Sequence, residues 1–155
     1  MRREPISPTT PGMSREFCAP GDRVERRLNL TANDVVRIAT DLGDANPLHS
    51  DESVAARSRF GALIASASHT IGLLLGLAGS QATIEHPGVG LGFTFELASA
   101  AAVGDDLVIW WTIDRLEPTR GGTNTLAYLR GGIDAADGRA ILRATGTTLY
   151  FGAAG

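Results

Sequence analysis

Ser66-Ala67-Ser68-His69-Thr70-Ile71-Gly72-Leu73-Leu74-Leu75-Gly76-Leu77-Ala78-Gly79 is the centre of a run, Gly61 to Ile84, without a single Asp, Glu, Lys or Arg. The fold turns on how this run is read. It either crosses a membrane, for which roughly 20 apolar residues suffice, or forms the buried middle of a domain. Ser66, Ser68, His69, Thr70, Ser80, Gln81 and several glycines make it too polar and irregular for lipid. A helix apolar on all sides also suits the centre of a domain. The spacing therefore predicts a buried helix over Ser66 to Ala78, stopped by Gly79.

Downstream of the run the period changes. Val89, Leu91, Phe93, Phe95 and Leu97 alternate, which predicts a strand with those five side chains on one buried face. Gly104-Asp105-Asp106 marks a turn. Leu107 to Leu116 is a second strand, with Trp110 and Trp111 on opposite faces. Gly121-Gly122 is a hairpin turn rather than a phosphate cradle, because no helix follows it. Thr125 to Ile133 and Ala140 to Phe151 are two more strands, joined around Asp137-Gly138.

Upstream, Phe17 to Leu30 holds an extended segment. Thr31 caps a helix with Asp34 at capping-box spacing, and Val35, Ile38, Ala39 and Leu42 share its apolar face. Gly43 ends it. Ser50 caps a second, short helix from Asp51 to about Arg59, with acids at its start and Arg57 and Arg59 at its end. Helices first and an antiparallel meander second give an α+β domain, a curved sheet wrapped around the uncharged helix. One small sheet covers part of such a helix, so a partner subunit is expected to cover more.

With 155 residues the chain can bury one real core. Residues 1–13, rich in Pro, Thr and Arg, read as a flexible arm, and 14–155 as the domain. A net charge of -3 gives no electrostatic reason for nucleic acid or an anionic membrane as partner. Cys18 is alone, which suits a reducing cytoplasm. No apolar segment follows Arg2 and Arg3, so the start is not a secretory signal.

The chemistry concentrates in Gly43-Asp44-Ala45-Asn46-Pro47-Leu48-His49. On a regular helix, five residues turn about 140° beyond the starting face, so Asp44 and His49 would diverge. Pro47 disfavours helical geometry at Asn46. A tight irregular turn can instead aim both side chains into one cleft as an acid/base pair. Three scattered histidines and one cysteine supply no metal-ligand spacing. His86 reads as a loop residue, and Arg57, Arg59 and Arg120 as solvated surface charge.

The turn, followed by Asp51 and then Phe60-Gly61-Ala62-Leu63-Ile64-Ala65-Ser66, resembles the MaoC-like or (R)-specific enoyl-CoA hydratase family, whose pattern in the turn is G-D-x-N-P-[LIV]-H. The resemblance implies a hot-dog fold, usually dimeric, and reversible hydration of a trans-2-enoyl thioester to an (R)-3-hydroxyacyl thioester. Asp44 and His49 match the family's catalytic pair, and Asn46 and Pro47 its structural turn. A backbone N–H near the start of the central helix would polarise the thioester oxygen. Ser66 and Ala67 occupy that place, and Ala67 stands where the family has glycine. His69 either lines the acyl pocket or is a structural core histidine. Coenzyme A or an acyl carrier enters as part of the substrate, with no separate cofactor. Two alternatives stay open: a thioesterase on the same fold, and a non-catalytic acyl-thioester-binding subunit. The expected assembly is a homodimer.

Overall fold

The computed structural model describes residues 17–82 and 87–152. They run β1 (Arg23–Asn29), α1 (Ala32–Asp41), a 3-10 turn (Pro47–His49), α2 (Glu52–Arg57), α3 (Ala67–Gly79), β2 (Gly88–Leu97), β3 (Asp106–Pro118), β4 (Thr125–Ala135) and β5 (Ala140–Tyr150). The expected arm over residues 1–13, and His86, lie outside the described residues. The strands form one antiparallel sheet in the order β1-β3-β4-β5-β2. Helix α3 packs across it, touching β1, β2, β3 and β4. This is the hot-dog architecture.

The core lies between α3 and the sheet. Leu74 and Leu77 of α3 meet Ile109, Trp111, Leu129, Ile133 and Leu142 of the sheet, all buried. Trp111 donates its indole N–H to the Leu74 carbonyl at 2.8 Å, so the sheet's largest buried side chain is tied to the helix. It faces Gly131 across the β3–β4 ladder. A Cβ at Gly131 would collide with the indole ring, so glycine there is what lets the tryptophan lie flat. Trp110 takes the outer face, where it donates to Asp134 at 2.8 Å and sits beneath the Arg23 guanidinium.

Three expectations need correction. Asp51, not Ser50, caps α2, because its carboxylate accepts from the Ser53 and Val54 N–H groups at 2.9 and 3.0 Å. The helix then ends at Arg57, since Ser58 is extended. Leu42 leaves the apolar face of α1 because it is already the C-cap, and it is exposed.

The third correction concerns β2. Its five alternating side chains do not share one buried face. The register shifts between Gly90 and Gly92, so Leu91 is an extra residue in a bulge. Val89 then pairs with Leu149 on the outer face, whereas Phe93 pairs with Gly146 on the inner one. Val89, Leu91 and Leu97 are 46%, 57% and 57% exposed. Helix α3, by contrast, exposes Ser68, Gly72 and Gly76, while Ile71, Leu73 and Leu75 are half-buried. Among the described residues, three of the exposed large apolar side chains therefore lie on the edge strand and none on the central helix.

Candidate active site

The Gly43–His49 turn is built by two successive caps. Helix α1 closes with two backbone bonds, Gly43 N–H to Thr40 O at 3.0 Å and Asp44 N–H to Ala39 O at 2.8 Å. That is a Schellman closure, and it needs a left-handed residue, supplied by Gly43 at φ +72°. Asp44 therefore leaves the helix in a fixed direction. Its Oδ1 accepts from the Asn46 N–H at 3.1 Å. The side-chain oxygen of Asn46 then caps the 3-10 turn by accepting from the Leu48 N–H at 3.1 Å, with Pro47 as first residue. Such a cap is worth about 1 kcal/mol.

The turn carries His49 inward, where it is 7% exposed. Its Nδ1 lies 2.7 Å from the Ile64 carbonyl. A carbonyl can only accept, so Nδ1 bears the proton. In the neutral ring the Nε2 lone pair is then free, and it faces Asp44 Oδ2 at 3.7 Å. That separation is too long for a direct hydrogen bond. Both atoms can instead reach one small molecule between them.

Ser66 and Ala67 stand at the start of α3 as expected. Ser66 is buried and is the N-cap rather than the first helical residue, its Oγ accepting from the His69 N–H at 3.2 Å. Ala67 is the first helical residue and is exposed. Its N–H has no acceptor within the helix and points out of the positive end of the helix dipole. Ile64, the anchor of His49, is only three residues away, at most about 11 Å of chain. The imidazole and the helix start are thus tied to one short segment.

His69 is buried, and its Nδ1 has no hydrogen-bond partner among the described residues. Burial pushes its pKa below the usual histidine range, the Asp34 carboxylate of α1 opposes that, and the Arg37 guanidinium adds to it. A cleft of about 200 Å³ opens at the far end of α3, lined by Leu75, Ala78 and Gly79 and by Phe93, Thr148 and Tyr150 of the sheet. His69 does not line it, nor do Asp44 and His49. Residue identity did not disclose the Ile64 carbonyl, because any residue supplies one. Among the described residues no helix is long and apolar enough to cross a membrane.

The MaoC-like domain profile matches residues 17–114. A 3-hydroxybutyryl-CoA dehydratase from Methylorubrum extorquens is 33% identical over 92 residues, which is 59% of this chain and 57% of that relative's length. The chain thus spans little more than half of the curated relative it matches. A MaoC-like dehydratase from Rhodospirillum rubrum superposes with a TM-score of 0.76 at 24% identity, over 92% of this chain and 99% of that one. An (R)-hydratase from A. caviae involved in PHA biosynthesis gives 0.75 at 22% identity, over 84% and 96%.

Proposed function

The chain belongs to the MaoC-like domain family, and from that membership we propose that it is a hydro-lyase adding water to trans-2-enoyl thioesters to give (R)-3-hydroxyacyl thioesters. The observation that carries the reading is the pair of open atoms, His49 Nε2 and Asp44 Oδ2, 3.7 Å apart in a turn that fixes both. A substrate water held between them is deprotonated by Nε2 as its oxygen bonds to C3. The electron pair of the C2–C3 bond moves through C2 onto the thioester oxygen. The Asp44 carboxylate faces the imidazolium so formed. A proton from the pair returns to C2 as the enolate collapses. The hydrogens of the water end on the new hydroxyl and on C2, and the pair regains its starting state. Positioned acid/base assistance of this kind is worth ~10²–10⁴-fold. The Ala67 N–H is the proposed donor to the developing enolate oxygen, strengthened by the helix dipole.

The reading includes a second copy of the chain. An edge strand with three exposed apolar side chains is an unpaired template, and a copy seated there completes the sheet.

The test uses crotonyl-CoA. Loss of conjugated-thioester absorbance without free thiol is the expected result. Thiol release would make the protein a thioesterase, and no change in either signal would end the hydratase reading.

A further inference from the structure

Arg139 lies on β5's approach, outside the catalytic turn, yet its contacts lead to His49. Ile64 sits between two neighbours. Its N–H donates to Leu48 O at 3.1 Å and its carbonyl accepts from His49 Nδ1 at 2.7 Å, both on the side of the turn. The residues flanking it face the other way. Val103 N–H donates to Leu63 O and Ala65 N–H to Ala101 O, each at 2.8 Å. Residues 63–65 thus act as a short strand with alternating sides. The catalytic turn hangs on one side and the 99–105 strap on the other, so the strap sets where the Ile64 carbonyl lies.

Arg139 holds both ends of that strap. One guanidinium nitrogen, Nη1, donates to Ala100 O at 2.6 Å and to Ser99 Oγ at 3.2 Å. The other, Nη2, donates to Asp105 Oδ2 at 2.8 Å. The same carboxylate oxygen accepts from the Ala102 N–H at 2.9 Å, and Ala102 is bridged to Ile64. A planar fork can span Ala100 and Asp105 together, which the single ammonium of lysine cannot. Arg139 is 38% exposed at its side chain, so these bonds are partly screened, but their geometry is specific.

We propose that Arg139 is a positioning residue for the hydration reaction: by clamping the strap it aims the Ile64 carbonyl at Nδ1 of His49 and so keeps Nε2 turned toward Asp44. The inference rests on the hydratase reading for its kinetic consequence, but not for its geometric one.

The experiment compares Arg139→Met, Arg139→Lys and a control, Arg143→Met. Arg143 bonds Asp134 at 2.6 Å on the outer face, away from the strap. Two readouts are taken on the 155-residue chain: kcat and KM on crotonyl-CoA, and the His49 Nδ1–H resonance, assigned by its loss in His49→Ala. Arg139→Met is expected to lower kcat about 10- to 100-fold, the scale of a small misplacement of a reacting group. KM should stay within about twofold, and the Nδ1–H resonance should broaden or shift. Arg139→Lys should fall between Met and wild type in both readouts. If Arg139→Met does not fold, Arg139→Lys decides alone. The control should change neither. An unaltered Nδ1–H resonance in the folded Arg139 variants overturns the proposal, as does an equal effect in Arg143→Met. Wild-type protein inactive on crotonyl-CoA would defeat the hydratase reading, and the resonance would still report on the clamp.

Discussion

His49 and Asp44 face each other across 3.7 Å, with the far side of the imidazole pinned to a backbone carbonyl at 2.7 Å. The pinning matters as much as the gap. It fixes the tautomer, so the Nε2 lone pair faces the Asp44 carboxylate without any change in the ring. The carboxylate is fixed in turn by the Asn46 N–H on its other oxygen.

Asp44→Asn and His49→Ala should therefore each lower hydration by at least ~10²-fold, the low end for positioned acid/base groups. Neither should unfold the chain, because the caps at Gly43 and Asn46 are backbone and side-chain features of other residues. Steady-state kinetics beside a thermal melt checks this. A folded variant with near-normal turnover on a good substrate would remove that residue from the mechanism.

A second prediction concerns β2. With Val89, Leu91 and Leu97 exposed on an edge, wild-type protein is expected to sediment as a homodimer at micromolar concentration. Leu91 is the bulged residue, so Leu91→Arg adds a charge without disturbing the ladder within the chain. It should shift the protein toward monomer. A monomeric wild type, or a Leu91→Arg variant that dimerises equally well, would contradict the edge assignment.

What could be read from the residues follows from how local each signal is. The Thr31 cap, with its hydroxyl donating to Asp34 at 2.6 Å, and the Gly43–His49 turn are decided by neighbours within five positions. So is the choice between Asp51 and Ser50, which residue type alone does not decide because both are good caps. The face of β2 is not local. Whether Leu91 points in or out depends on a bulge against β5, and alternation alone cannot show an extra residue. Trp110 and Trp111 take opposite faces, as adjacent residues of a strand must. The anchor of His49 was invisible in principle, since a backbone carbonyl has no residue type.

His69 supports a prediction about pH. Burial lowers its pKa in the folded protein below the ordinary histidine value of about 6.5. The unfolded chain then takes up a proton near pH 6.5 that the folded chain resists. Where the unfolded state binds more protons, stability falls as pH falls. Wild type should lose melting temperature as pH drops below about 6.5, the unfolded reference value. His69→Leu keeps the site filled and removes the titration, so its melting temperature should decline less over the same range. Parallel decline in the two proteins would show that His69 takes no part in acid sensitivity.

The last prediction isolates the proposed oxyanion donor. Ala67 is the first residue of α3, and Ser66 before it is extended at φ -66°, ψ 158°. That is the conformation a residue preceding proline requires, and proline is well tolerated at a first helical position. Ala67→Pro should thus leave the helix in place while deleting the one N–H proposed to meet the enolate oxygen. Activity should fall strongly and the melting temperature little. Ala67→Gly is the complementary change. It keeps the donor, removes a methyl group from the oxygen's approach, and costs up to about 1 kcal/mol in helix propensity. Its activity should be preserved or raised despite slightly lower stability. Turnover and thermal stability of both variants are measured side by side. A stable, fully active Ala67→Pro protein would place the donor elsewhere. The buried Ser66 hydroxyl would be next in line, since its oxygen is engaged by the His69 N–H but its own proton remains to be given.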